Sequence, residues 1–214
     1  MIFFQDIGKN SLKSLQQPYK SYVMRFLKMI RYDYNLWVRI ITNRECFKLL
    51  KELELSKLNA LEISGNRYRQ LGFQSYTQVN YPEFDICKER LPQTFNIIIA
   101  EQVFEHLLWP YRAGKNVYDM LEPGGYFLIS TPFLVRIHNC PVDCSRWTET
   151  GLKYLLAECG FPLESIRTSS WGNRECVKAN FKDWVLFGWY RPLHNEPNYP
   201  VQVWALAQKQ QVRS

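Results

Sequence analysis

Two different patterns of hydrophobic and polar positions divide the chain into a front quarter and a body. In the front quarter, apolar residues recur at the spacing of one helix face; the stripe consists of Tyr19, Tyr22, Val23, Phe26, Leu27 and Ile30. Thr42 and Glu45 have capping-box spacing, which predicts a second helix from there to about Leu55. The stretch 36–41 between them is compatible with a helix as well. We therefore predict a helical N-terminal extension, a lid, over residues 1–57.

From residue 58 onward, short apolar runs alternate with helical patterns. The predicted strands are residues 60–64, 75–80, 95–100, 126–130, about 164–168 and 201–207; the predicted helices are residues 102–108, 112–121 and 149–159. The run from Ile97 to Ala100 is continuously apolar, which is typical of a parallel strand covered on both faces. This order predicts one α/β domain over residues 58–214 with a doubly wound, mostly parallel sheet, interrupted by an aromatic insertion at 171–200.

Composition and charge narrow the function classes. The 214 residues are 46% hydrophobic and 15% aromatic, which is typical of a packed globule. No apolar run reaches the roughly 18–20 residues that span a bilayer, and the first ten residues do not resemble a secretion signal, so we expect a cytoplasmic protein.

The net charge of +7 is concentrated at the front, where residues 1–55 hold ten Lys or Arg and five Asp or Glu. A positive surface attracts anions, but these basic residues are interleaved with an apolar stripe, which does not favour nucleic acid. Contact with a membrane surface through Lys20, Arg25 and Lys28 stays open, and so does a plain solvated basic face.

The six cysteines are scattered through the chain, which predicts free thiols rather than a disulfide framework. One cluster, His138, Cys140 and Cys144, has some likeness to a metal site. Structural zinc usually takes four ligands in paired spacings, and no second pair follows. We therefore predict no metal.

Polar residues stand where the predicted strands end. In an α/β sheet, ligands bind at the carboxyl ends of the strands; the side chains that the sequence places there include Glu62, Ser64, Asn80, Asp85, Glu101 and Gln102. Such groups can hydrogen-bond ribose hydroxyls, an amino group or an adenine edge.

Four segments between residues 60 and 160 together carry a family resemblance. They read A-L-E-I-S-G from Ala60, D-I-C-K-E-R-L-P-Q-T-F-N-I-I-I-A-E-Q-V-F-E-H-L from Asp85, L-E-P-G-G-Y-F-L-I-S-T-P from Leu121, and R-W-T-E-T-G-L-K-Y-L-L-A-E-C-G-F from Arg146. In this order they resemble the class I S-adenosylmethionine-dependent methyltransferases that act on small molecules and lipids. The resemblance covers about half of the chain. It implies a Rossmann-like sheet with an antiparallel last strand. It makes the first segment the first cofactor motif and places Asp85 in a third strand.

The resemblance also implies S-adenosylmethionine as cofactor, with S-adenosylhomocysteine as product. Its cofactor-binding set consists of Glu62, Ser64, Gly65, Asn80, Asp85, Ile86, Glu101 and Gln102. In this set Ser64 and Gly65 form the loop under the methionine moiety, and Asn80 replaces an acid that holds the ribose. Arg67 and Tyr68 are bulky where the family has a glycine-rich loop.

His138 and His106 are the predicted catalytic bases, since an imidazole titrates near neutral pH. A structural role stays open for both: His106 can pack against its loop, and His138 can be a structural residue of its own loop. The predicted function is methyl transfer to a small-molecule, saccharide or lipid-linked acceptor, with the helical front and the aromatic insertion as the acceptor lid. A role in the core alone stays open for the aromatic residues of the insertion. The alternative, suggested by the glycine-poor loop, is a methyltransferase-like scaffold that works by binding a partner.

Overall fold

Six strands form one mixed sheet. The computed structural model describes residues 36–139, 141–188 and 191–211. The strands are β1 (Asn59–Ile63), β2 (Ser75–Val79), β3 (Phe95–Glu101), β4 (Leu121–Pro132), β5 (Ile166–Trp171) and β6 (Gln202–Gln208), in the order β2-β1-β3-β4-β6-β5. Strands β1 to β4 are parallel to one another, whereas β6 runs antiparallel to both β4 and β5. This confirms the predicted sheet and its antiparallel last strand.

Among the described residues, four α-helices cover the two faces of the sheet: α1 (Trp37–Leu50), α2 (Pro110–Met120), α3 (Glu149–Glu158) and α4 (Arg174–Lys182). Consecutive strand residues point to opposite faces, so Ile98 packs in the core with α2 and α3, while Ile97 and Ile99 pack in the core with α1 and α4. All three are fully buried. The apolar run of β3 is therefore covered on both faces, as its sequence predicts.

The predicted cap of the third helix is confirmed. The Thr148 hydroxyl accepts a hydrogen bond from the Gly151 amide at 3.0 Å, which satisfies one of the amides that α3 leaves unpaired at its start. Past its end, Gly160 takes a left-handed conformation with φ +116°, which lets the chain reverse toward β5.

Several predicted elements are wrong. Thr42 does not begin a helix, because α1 already starts at Trp37 and the Thr42 hydroxyl donates to the Val38 carbonyl inside it. Residues 102–108 contain only a short 3-10 turn, Phe104–His106. Asp85 begins a turn rather than a third strand, and within the described residues no strand lies between β2 and β3.

The predicted apolar stripe at residues 19–30, with Lys20, Arg25 and Lys28, lies outside the described residues. Among the helices that the structure does describe, none combines the length and the apolar character needed to cross a membrane.

The five described cysteines are free thiols, and three of them are buried in the core: Cys46, Cys159 and Cys176. Burial raises the pKa of Cys159 and of Cys176 to about 12, and that of Cys46 further still. A thiol with a raised pKa holds little of the thiolate that reacts with electrophiles.

Among the described cysteines, exposed Cys144 should therefore be alkylated first when the native protein is treated with iodoacetamide, and the three core thiols only after denaturation. Mass-spectrometric mapping of the modified peptides over time checks this. Early labelling of Cys176 would contradict the buried position of α4.

Candidate functional site

The loop after β1 folds around a buried carboxylate. Glu62 is 2% exposed, and it accepts the backbone amides of Arg67 and Tyr68, each at 3.0 Å, together with the Tyr76 hydroxyl from β2. Burial raises the pKa of Glu62, and the three hydrogen bonds oppose that rise. The loop is thus tied to the end of the strand that precedes it.

Two positions show why the loop keeps a glycine-like backbone. Ser64 has φ +56°, a left-handed conformation that glycine adopts more easily than serine. At Gly65 a Cβ atom would lie closer than 3.0 Å to the Glu62 carboxylate, so a side chain there would displace it. Ser64 and Gly65 therefore form a tight turn at the carboxyl end of β1, where the sequence predicts a cofactor loop.

A second carboxylate, Glu101, joins this loop to α1. Glu101 ends β3, and it pairs with the guanidinium of Arg39 from α1, with Arg67 Nε at 3.2 Å, and with the Tyr68 hydroxyl. The Glu101 side chain is 7% exposed, whereas those of Arg39 and Arg67 are 18% and 30% exposed. Two guanidinium groups thus converge on one carboxylate beside the loop and reach solvent there.

The two bulky residues of the loop, Arg67 and Tyr68, extend to different places. The Tyr68 ring is fully buried between α1 and the sheet, with its edge toward Phe47 at a ring-centroid distance of 5.4 Å. Arg67 reaches Asn43 at 2.6 Å as well as Glu101. The tyrosine therefore belongs to the core beneath the loop, and only the arginine remains partly in solvent.

The predicted residues after β2 lie in a turn. Asn80 is exposed, and its backbone carbonyl accepts the Phe84 amide. Asp85 accepts the Cys87 amide at 3.0 Å and pairs with Lys88, contacts that lower its pKa although partial burial opposes them. Ile86 is 3% exposed and packs in the core that holds α2.

The Gln102 side chain extends away from β1, toward β4 and β6. It has φ +56°, and its amide donates to Gln202 at 2.8 Å and to the Ser130 hydroxyl at 3.3 Å. The structure therefore divides the predicted set: Glu62 is linked to β2, while Gln102 is linked to the ends of β4 and β6.

His106 and His138 come together beyond the ends of β3 and β4. Their ring centroids are 5.1 Å apart, and His138 also lies edge-on to Trp184 at 5.3 Å. Asp143 lies 3.3 Å from His138 Nδ1 and forms a two-pronged ion pair with Arg146. Burial lowers the pKa of His138, and the negative charge of Asp143 opposes this.

Glu105, next to His106, was missed by the sequence analysis. It is 1% exposed, and within the described residues neither of its carboxylate oxygens has a hydrogen-bond partner. Burial raises its pKa to about 8. The one signal in the sequence is the pair Glu105-His106 directly after a buried strand.

Solved structures of other proteins show which fold this chain has. No family model and no curated protein matches the chain. Solved S-adenosylmethionine-dependent methyltransferases superpose on it. The enzyme from Thermotoga maritima has a TM-score of 0.54 at 13% identity, covering 90% of this chain and 97% of that one. The chain has the class I methyltransferase fold.

Two further structures with the methyltransferase fold agree. The enzyme from Archaeoglobus fulgidus gives a TM-score of 0.53 at 12% identity, with 88% of this chain and 100% of that chain covered. The one from Mesorhizobium loti gives 0.51 at 15% identity, with 78% and 97% covered. The superpositions establish the fold, and at identities of 12–15% they establish nothing beyond it.

Proposed function

We propose that this protein transfers a methyl group from S-adenosylmethionine to a small-molecule, saccharide or lipid-linked acceptor. The observation that carries the proposal is the turn at Ser64 and Gly65, closed on buried Glu62 at the carboxyl end of β1. In α/β sheets this edge is where ligands bind. The solved proteins that share the fold are methyltransferases that use this donor.

The charged groups beside the loop fit the amino-acid end of the donor. Arg39 and Arg67 share the single carboxylate of Glu101, and both are partly exposed. The donor's carboxylate can pair with a guanidinium there while Glu101 keeps its other partners. Ser64 and Gly65 would support the methionine chain.

The other end of the donor carries a ribose and an adenine. Exposed Asn80 has an amide that can bond ribose hydroxyls, and partly buried Asp85 can accept from the adenine amino group. When bound, S-adenosylmethionine supplies a methyl carbon already activated by its sulfonium. The protein's task is then to hold the acceptor in line with that carbon.

Calorimetric titration of the full chain tests the proposal. We expect both S-adenosylmethionine and S-adenosylhomocysteine to bind with dissociation constants of about 1 µM to 1 mM, the usual range for enzyme substrates. Arg67→Ala should weaken binding by about 10-fold or more, because a hydrogen bond to a charged group contributes about 1.5–3 kcal/mol.

Arg167→Ala is the matched control. Arg167 stands near the start of β5, at the opposite edge of the sheet, where it pairs with exposed Glu52. Its loss should leave donor binding unchanged. A folded wild-type protein that binds neither compound would refute the proposal.

One observation favours the alternative, a binding scaffold without cofactor. Glu62, Glu101 and Gln102 all have hydrogen-bond partners within the protein, so the cofactor edge is already cross-linked by its own side chains. The same titration separates the two functions, since the scaffold binds no donor.

A further inference from the structure

Glu105, His106 and His138 bring three metal-binding atoms together. One carboxylate oxygen and one nitrogen from each ring all lie within 4.8 Å of one another. Glu105 and His106 belong to the 3-10 turn after β3, and His138 belongs to the loop after β4. Because β3 and β4 are adjacent parallel strands, their carboxyl ends bring these two segments to the same edge of the sheet.

Within the part of the chain that the structure describes, nothing pairs with the Glu105 carboxylate. Burying an unpaired polar group costs free energy, and an ion costs far more. His106 Nε2 lies 3.6 Å from Glu105 Oε1, beyond hydrogen-bond length. The neighbouring Arg146 is engaged by Asp143. A cation between the carboxylate and the imidazoles would satisfy Glu105.

The Nδ1 nitrogen of each ring lies beside an oxygen atom. His106 Nδ1 lies 2.6 Å from the Val142 carbonyl, and His138 Nδ1 lies 3.3 Å from Asp143 Oδ2. Histidines that bind a metal through Nε2 usually donate their Nδ1 hydrogen to a carbonyl or a carboxylate, which fixes the ring. The His106 ring has such an acceptor in the Val142 carbonyl. His138 Nδ1 lies near Asp143 and also, at 3.5 Å, near the Arg146 guanidinium.

The two segments that would carry the ligands are fastened together. The backbone amides of Cys144 and Ser145 both donate to the Glu105 carbonyl, at 2.7 and 3.3 Å. The loop that holds His138 is thereby held against the turn that holds Glu105 and His106. A site needs such support if its ligands are to keep their geometry.

We propose that Glu105, His106 and His138 bind a divalent transition-metal ion of the Zn²⁺ type. Two imidazoles and a carboxylate suit Zn²⁺ and Co²⁺, whereas Mg²⁺ and Ca²⁺ prefer oxygen ligands alone. Three protein ligands leave a coordination position for water or a substrate oxygen. In this site the two histidines are ligands and not proton acceptors. The ion would position the methyl acceptor, and this role rests on the proposed function. The metal site itself does not depend on that function.

Titration of the metal-free full chain with Co²⁺ tests the site. We expect one equivalent to bind, with the visible absorption of a low-symmetry Co²⁺ site, and Zn²⁺ to displace it while Mg²⁺ does not. Glu105→Gln and His138→Gln should each weaken binding by at least about 100-fold, because even a lost hydrogen-bond partner of a ligand costs 10–100-fold. Circular dichroism establishes that each variant is folded.

Two controls exclude other ligands. His194→Gln removes an exposed histidine that pairs with Glu196, and it should leave the affinity unchanged. Cys144→Ser removes the exposed thiol near the site and should also have no effect. Absence of stoichiometric binding, or binding abolished by Cys144→Ser and retained in folded His138→Gln, would overturn the proposal. Since the titration contains no methyl donor, its result is independent of the proposed function.

Discussion

Replacing Glu101 with alanine is expected to lower the free energy of unfolding by about 2–4 kcal/mol. Breaking a buried ion pair from one side typically costs 3–5 kcal/mol, because the remaining charge is left desolvated without a partner. Here Arg39 and Arg67 are partly exposed and can recover some hydration, which reduces the loss. The Tyr68 hydroxyl, in contrast, is buried with its ring and loses its acceptor.

Glu52→Ala is the control, because Glu52 pairs with Arg167 on the surface, where both side chains are about half exposed. An exposed pair contributes at most about 1 kcal/mol. Urea denaturation of the two variants and the wild type gives the comparison. Equal losses for Glu101→Ala and Glu52→Ala would mean that the carboxylate does not hold α1 and the loop together.

This network shows where sequence reasoning about the site reached its limit. The position of Glu62 near the end of a short alternating strand predicts a polar group at the carboxyl edge, and the structure has one there. Its partners could not be predicted, because they come from a backbone loop and from Tyr76 on the neighbouring strand. Arg39 is similar: its spacing on α1 gives no indication that it meets Glu101.

The same contrast holds for the fold. The strands were predicted because their apolar positions are set by burial in the sheet, which the sequence records directly. The helix α4 was missed inside the aromatic insertion, although Asn173 caps it by accepting the Cys176 amide at 2.8 Å. A cap without a clear apolar stripe is a weak signal. The predicted helix at 102–108 is wrong because Gln102 takes a left-handed conformation and the chain is extended again at Leu107, which leaves only a short 3-10 turn between them.

The metal-site proposal illustrates the same limit at longer range. In the sequence, His138 stands out together with Cys140 and Cys144, because metal ligands are recognised by close spacing. In the structure, His138, which follows β4, lies close to Glu105 and His106, which follow β3. Adjacent parallel strands bring such residues together however far apart they are in the chain, so the relevant spacing is set by the order of the strands.

Gly172→Ala should destabilise the protein by about 3 kcal/mol or more, at the upper end of the losses seen when a packed site is overfilled. A Cβ atom on Gly172 would lie closer than 3.0 Å to the Tyr199 carbonyl oxygen and to the Val201 amide nitrogen. Both are backbone atoms, which cannot rotate away as a side chain can. The segment 199–201 would therefore have to move, and with it the start of β6.

Segment 199–201 also holds the residues that directly follow β4. The Phe133 amide donates to the Val201 carbonyl at 2.9 Å, and the Leu134 amide donates to the Pro200 carbonyl at 3.2 Å. Displacing it should therefore loosen the loop that carries His138 as well as the pairing of β5 with β6. Faster hydrogen exchange at Phe133 and Leu134 would report this loosening directly.

Gly151→Ala provides the matched control for the same substitution. Gly151 lies in the first turn of α3, where a new Cβ would be no closer than 3.4 Å to its nearest neighbour, the Thr148 hydroxyl. Alanine is favoured over glycine in a helix by about 0.5–1 kcal/mol, so this variant should be as stable as the wild type or slightly more stable. Urea denaturation of both variants tests the contrast. If Gly172→Ala unfolded at the wild-type midpoint, the chain at 199–201 could not pass as close to Gly172 as the structure places it, and the support for the His138 loop would have to come from elsewhere.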